Sequence, residues 1–384
     1  MSNSPLLVTS FKSVMDFSPQ EFAPLAQGRT VYVSQPWLHG VELMRGEPVE
    51  YLACHDANKR LVGLLPVYAD TSVPAGFYDV FGHFINASGA CFSASSWKPG
   101  RLIGTREGFD CEFLVDETAP YSPSRVLSTL LDRAWEDALS AGSVAVSALY
   151  INPTGAAQLR SACGDFQYFL GGADTVIDCS IASFDLYTRR LGSRGWTLRR
   201  ERRRFLDAGY YVTRASLADV VDELGRLSAS LERRYGHNTD AIREAERLRL
   251  LATATSEISE VLLLFRDKHL VGCLLYLVYE RTIYGRTIGF DYDKLVGVQE
   301  YFNLAIHSMI ELAIERGCTQ LRVGMASYRG KISRGASLEP HAIATRTNTA
   351  IDLSADKQFM AWNERRVQAV HNVDGELMDA LGLP

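Results

Sequence analysis

The stretch "EISEVLLLFRDKHLVGCLLY", residues 257–276, decides how the rest of the chain is read. Glu260 to Phe265 is a short apolar run, Arg266-Asp267-Lys268 is a polar turn, and His269 to Glu280 is a second apolar run. Two such runs across a short turn predict a β-hairpin. Residues 281–292, "RTIYGRTIGFDY", are rich in β-branched and aromatic side chains and predict another strand. From Gln299 to Arg316 the apolar period lengthens from two to about 3.6. It puts Phe302, Ala305, Ile306, Met309 and Ala313 on one helix face. Gly317 falls where a left-handed C-terminal cap belongs, and Cys318 to Met325 predicts a strand.

The same order appears earlier. "VEYLACHD" (49–56) and "RLVGLLPVYA" (60–69) predict a hairpin that repeats the Leu-Val-Gly of residues 270–272. A helix follows Ser122-Pro123, a cap residue and a first-turn proline in their favoured places. Leu127, Leu130, Leu131, Ala134, Ala138 and Ala141 hold helical spacing, Gly142 ends the helix, and "SVAVSALYI" (143–151) predicts the closing strand. Both helices end Ala-x-x-x-Gly, at 138–142 and 313–317. Two echoes in one order predict a tandem duplication of an α/β unit, with domains over 1–180 and 181–384.

Composition narrows the function classes. The 384 residues are 47% hydrophobic and 22% charged, the balance of a protein with buried cores. No apolar run reaches the roughly 20 residues of a membrane span, and the N-terminus lacks a signal-peptide pattern, so a cytoplasmic protein is expected. The seven cysteines form no CxxC, which argues against a zinc site or a disulfide framework. No Ser-His-Asp order, paired-carboxylate motif or GxxxxGK[ST] loop appears.

This order of elements resembles the GCN5-related N-acetyltransferase (GNAT) fold, and two copies in one chain resemble the Fem-type peptidyltransferases. The likeness is strongest from about Phe184 to Pro340. It rests on "GFDY" (289–292), "EYFNLAIHSMIELAIERGCTQLRVG" (300–324) and "SYRGKISRG" (327–335), the last looking like a Tyr-x-x-Lys-x-x-x-Gly segment at Tyr328, Lys331 and Gly335. The resemblance implies two tandem GNAT-like domains, each a mixed, mostly antiparallel sheet flanked by helices. It further implies transfer of an amino acid from aminoacyl-tRNA to an amine of a small metabolite or cell-wall precursor, with neither ATP nor metal as cofactor. Acetyl-CoA enzymes of the superfamily cradle a pyrophosphate on Gln/Arg-x-x-Gly-x-Gly/Ala at a helix N-terminus. Here that place reads Lys294-Leu295-Val296-Gly297-Val298-Gln299, with Gln299 at the final small position. The departure argues against acyl-CoA, which stays as the alternative donor.

A second feature bears on the donor. Residues 189–204, "RRLGSRGWTLRRERRR", carry eight arginines and one glutamate, a local charge of +7 on a chain of net charge −5. Arg199, Arg200, Arg202 and Arg203 are the expected tRNA or phosphate contacts. The other reading is a solvated helix face whose arginines pair with Glu201, Asp207 and their neighbours. Trp196 either stacks on a base or anchors the helix.

The resemblance assigns the chemistry to the C-terminal half. Lys331 is the expected oxyanion partner and Tyr328 orients the donor ester or only packs. Asp291 and Tyr292 close the bent strand where the donor enters, and Arg334 is grouped with them as substrate-binding. His307 shares a polar helix stripe with Glu300, Asn303 and Glu311 and reads as a solvated histidine. The loops at 77–90 and 233–240 are possible acceptor borders. A monomer or weak dimer is expected.

Overall fold

The computed structural model describes residues 4–46, 48–69, 78–349 and 351–371. It divides into two compact units: Met1–Glu42, Gly46–Ala173 and Glu339–Pro384 form one, and Leu43–Arg45 with Asp174–Leu338 the other. The compact units meet along the chain at 173/174 and at 338/339, and the last segment groups with the first unit.

In the first unit, β1 (Leu7–Phe11), β2 (Val49–His55), β3 (Leu61–Ala69) and β4 (Gly100–Ile103) run antiparallel in sequence order, and β5 (Leu114–Val115) pairs beside β3. Strand β6 (Ala145–Ile151) then lies parallel to β4. Helices α1 (Pro19–Ala26), α2 (Gln35–Arg45), α3 (Pro123–Ser140) and α4 (Pro153–Ala162) complete the chain up to β7 (Gln167–Asp178).

The second unit begins with α5 (Phe184–Arg190) and α6 (Ser193–Asp207). It then repeats the plan: β8 (Tyr210–Ser216), α7 (Val221–Arg234), α8 (Ala241–Thr255), and antiparallel β9 (Ser259–Arg266), β10 (His269–Tyr279) and β11 (Thr282–Phe290). A helix follows as α9 (Glu300–Phe302), a π-turn at Asn303–His307 and α10 (Ser308–Glu315), and β12 (Gln320–Arg322) lies parallel to β11. Last come α11 (Tyr328–Ile332), β13 (Ser337–Thr347) and α12 (Lys357–His371). Within the first unit Ala342–Thr347 of β13 pair antiparallel with β6, and within the second Val176–Asp178 of β7 pair antiparallel with β12.

The repeated words have repeated physical causes. A Cβ on Gly63 would meet Val126 Cγ1 at 2.5 Å, and one on Gly272 would meet Phe290 Cδ1 at 2.7 Å. At both sites only glycine lets the neighbouring side chain close on the strand. The two Ala-x-x-x-Gly endings are matching caps: Ser143 N–H donates to the Ala138 carbonyl and Cys318 N–H to that of Ala313, each at 2.9 Å. Gly142 and Gly317 take φ of 76° and 67° between them. Pro123 opens α3 as expected, but the Ser122 hydroxyl meets Ser124 Oγ at 2.7 Å rather than a helix amide.

Candidate functional site

Every residue expected at the site lies in the second unit. There the sheet opens beyond Tyr284, because β12 pairs with β11 only over Thr282–Tyr284. A bulge helps: Leu275 pairs with Thr287 and Tyr276 with Gly285, so Arg286 is left over and the strand bends at the opening. A Cβ at Gly289 would lie 2.2 Å from the backbone carbon of Leu227, so α7 sits directly on the end of the bent strand.

The segment after β12 holds Tyr328, Lys331 and Arg334. Gly324, Ala326 and Ser327 all take positive φ, of 71°, 65° and 52°. Left-handed backbone at two non-glycine residues costs about 1–3 kcal/mol each and needs outside support. Lys331 supplies it. Its side chain is 1% exposed, and Nζ donates to the carbonyls of Val323, Gly324 and Met325 at 2.7, 2.8 and 3.1 Å. All three ammonium donors are thus engaged with backbone. Burial lowers its pKa to about 8, and Asp174 opposes that shift. Tyr328 opens α11 and is half-buried.

Arg334 is buried as well. It holds Glu201 with two hydrogen bonds, Nε to Oε2 at 3.1 Å and Nη2 to Oε1 at 2.7 Å, and its guanidinium lies 3.4 Å from the Phe302 ring centre. Asp291 pairs with Lys294 at 3.2 Å, and Arg234 stacks on the Tyr292 ring at 4.4 Å.

The turn before α9 is satisfied by the helix that follows it. The Glu300 carboxylate, 5% exposed, accepts at Oε1 from the amides of Val296 and Gly297 and from the Tyr210 hydroxyl, each at 2.9 Å. Burial works against its ionisation. The amide bonds and the Tyr210 hydroxyl outweigh burial and hold the carboxyl below its ordinary range. Asn303 Nδ2 donates to the carbonyls of Val298 and Gln299 at 3.2 and 3.1 Å. Gln299 itself is a left-handed N-cap with φ 65°. It is therefore the Glu300 carboxylate that occupies these amides.

Beside this turn lies a cavity of about 400 Å³ lined by Arg200, Glu201, Arg204, Asp207, Ala208 and Gly297–Gln299. Most of the arginine run is already committed. Arg189 pairs with Asp185, Arg190 with Asp178 and Arg202 with Glu311, while Arg199 donates to Thr188 Oγ1 at 2.9 Å. Arg203 reaches Asp207 at 3.8 Å. Among the described residues, Arg200 and Arg204 have no carboxylate partner. They stand one turn apart at the cavity, where Glu201 is matched by Arg334 and Asp207 by Arg203. Arg200 lies 4.8 Å from the ring centre of Trp196, which is 57% exposed. Of the four arginines expected to bind phosphate, Arg200 lines the cavity and Arg202 is tied into an ion pair. Arg204 was not among those expected; its spacing of four from Arg200 was the available signal.

The polar stripe on the 300–315 helix is buried rather than solvated: Glu300, Asn303 and His307 are 5%, 0% and 0% exposed. The reason is α6, whose Glu201 carboxylate approaches His307 Nε2 at 3.6 Å and whose Arg202 pairs with Glu311. In the first unit, Asp110, Glu339 and His341 bring potential ligand atoms within 4.8 Å of one another, with Asn152 Nδ2 donating to Asp110 at 2.7 Å. Of the 77–90 stretch, Phe77 lies outside the described residues, and 80–85 forms a π-turn capped by Asp79.

Residues 193–331 match the family model for the acetyltransferase (GNAT) domain. No curated protein matches the chain. Among solved structures it is similar to the crystal structure of FemX, at 13% identity, covering 88% of this chain and 96% of that one with a TM-score of 0.57. It is also similar to L-PGS from Bacillus licheniformis, at 10% identity over 92% and 96% of the two chains and a TM-score of 0.55. A tandem GNAT protein from the clavulanic acid biosynthesis pathway matches at 12% identity over 91% and 100%, with a TM-score of 0.50. These likenesses show a GNAT-like fold. Among the described residues no helix is long and apolar enough to cross a membrane.

Proposed function

We propose that the chain is an aminoacyltransferase that takes an amino acid from aminoacyl-tRNA and passes it to an amine of a small metabolite or cell-wall precursor. The carrying observation is the cavity between α6 and the 297–299 turn, with two guanidiniums that no carboxylate among the described residues pairs with. Such a pair suits the phosphodiesters of a nucleic acid end. The engaged amides of the neighbouring turn count against a coenzyme diphosphate, and the likeness to FemX agrees at the level of fold.

In transfer, the acceptor nitrogen attacks the ester carbonyl, the tetrahedral oxyanion collapses, and the ribose oxygen leaves with the proton the amine gives up. Asp291 is assigned the α-amino group of the transferred residue, and Tyr292 and Tyr328 the walls around the ester. Lys331 acts as a positioning residue: it holds the 323–325 carbonyls of the segment beside the opening. The first unit is assigned to acceptor contact. The match to the acetyltransferase domain favours acyl-CoA-dependent N-acylation as the second reading.

Incubation with charged tRNA, and separately with acetyl-CoA, separates the two by which donor is consumed. On the first reading Arg200→Ala and Arg204→Ala each weaken tRNA binding and lower its logarithmic salt slope by about 1. Consumption of acetyl-CoA alone, with tRNA untouched, overturns the proposal.

A further inference from the structure

The backbone amides at 296–298 form an anion-binding nest at the head of a helix, and the chain fills it with its own carboxylate. We propose that Glu300 determines the class of donor by occupying this nest, so that diphosphate-bearing donors are refused. This goes beyond the choice of tRNA and holds whichever non-diphosphate donor the enzyme uses.

Three observations carry the inference. First, the nest is real: Val296 and Gly297 both point their N–H groups at one oxygen, Glu300 Oε1, at 2.9 Å, and Gly297 has a φ of 79° that lets the chain curl around it. Successive amides in that geometry bind anions whether or not the anion is part of the protein. Second, the carboxylate is held hard. It is buried, receives a further hydrogen bond from the Tyr210 hydroxyl, and stays ionised against the penalty of burial. Third, the carbonyl side of the same turn is locked by Asn303, so the loop is braced from both faces and cannot swing to offer its amides elsewhere. An incoming diphosphate would have to displace a like-charged group from a pre-made site. Among the described residues, Arg200 and Arg204 line the neighbouring cavity without a carboxylate partner, and neither donates to the turn.

The test uses the full chain and two variants, Glu300→Gln, which keeps the shape, and Glu300→Ala, which empties the nest. Titration with coenzyme A and with inorganic pyrophosphate is followed by calorimetry and by the amide signals of ¹⁵N-valine at Val296 and Val298. The unaltered protein should bind neither ligand at these amides. The variants, checked for fold by circular dichroism, should bind coenzyme A at least ten-fold more tightly and shift both valine signals. Coenzyme A binding by the unaltered protein with those signals shifted overturns the proposal. So does a folded pair of variants that bind no better than the parent, which would make Glu300 a helix cap and nothing more. If both variants unfold, the unaltered protein decides alone: shifted valine signals overturn the inference and unshifted ones support it. None of these readings involves tRNA, so failure here leaves the aminoacyl transfer assay to be judged separately.

Discussion

Replacing Lys331 by methionine keeps the length of a side chain that is 1% exposed and removes its charge. At pH 7 two effects oppose each other. The carbonyls of Val323, Gly324 and Met325 lose their donor, at about 1–3 kcal/mol for each acceptor left unsatisfied. Against that, the folded state no longer carries a buried ammonium whose pKa is about 8 rather than 10.5. That burden is worth roughly 3 kcal/mol at 1.36 kcal/mol per pH unit. Three acceptors together lose about 3–9 kcal/mol, so the net expectation is destabilisation by about 0–6 kcal/mol. The pH dependence is sharper. Between about 8 and 10.5 the unfolded lysine keeps its proton while the folded one has released it, so stability rises with pH. The contribution is complete above the unfolded value and is lost as pH falls through the folded one. Urea unfolding of both proteins at pH 7 and pH 9.5 should show the gap between them widening by roughly 2 kcal/mol. A gap that stays constant would falsify the reasoning, since the three carbonyls would then be keeping the ammonium charged throughout.

Two further outcomes follow from buried contacts in the second unit. Neither ring nitrogen of His307 has a hydrogen-bond partner, and burial, then Arg334 and Arg202, lowers its pKa to about 3. His307→Leu should therefore match or exceed the parent in stability at pH 7 and should lack roughly 2 kcal/mol of the parent's loss on going to pH 5, because only an unfolded histidine gains a proton there; parallel urea curves at both pH values would contradict this. Gly289→Ala drives a methyl into backbone at 2.2 Å, so α7 must lift from β11. The expected loss is about 1–3 kcal/mol by thermal unfolding, and an unchanged midpoint would mean the contact is looser than the structure shows.

Much of the second unit's architecture was legible as pattern. Period two over 260–280, period 3.6 over 299–316 and a glycine after each helix are local signals, and each became the element it implied. The site was legible only in part. Arg189 to Arg204 announced charge, yet which charges stay uncancelled depended on the pairs Arg190–Asp178, Arg202–Glu311 and Arg334–Glu201, the last 133 positions apart. The polar stripe Glu300–Asn303–His307 looked like a wet face because periodicity reports which residues share a side of a helix and not what covers that side. The covering helix here is α6, itself so polar that it gave no sign of being a lid.

The sequence by itself determined the repeated α/β unit, the close-packing glycines at 63 and 272, and the concentration of arginines at 189–204, because backbone propensity, side-chain period and charge are properties of neighbours along the chain. Tertiary structure alone decided that Glu300 fills the amide nest, that Lys331 is spent on three carbonyls, and that Arg200 and Arg204 line a cavity without a carboxylate partner among the described residues. Those outcomes depend on which charged groups fold within about 3–4 Å of one another, and at that range a single partner decides whether a charge is neutralised or available.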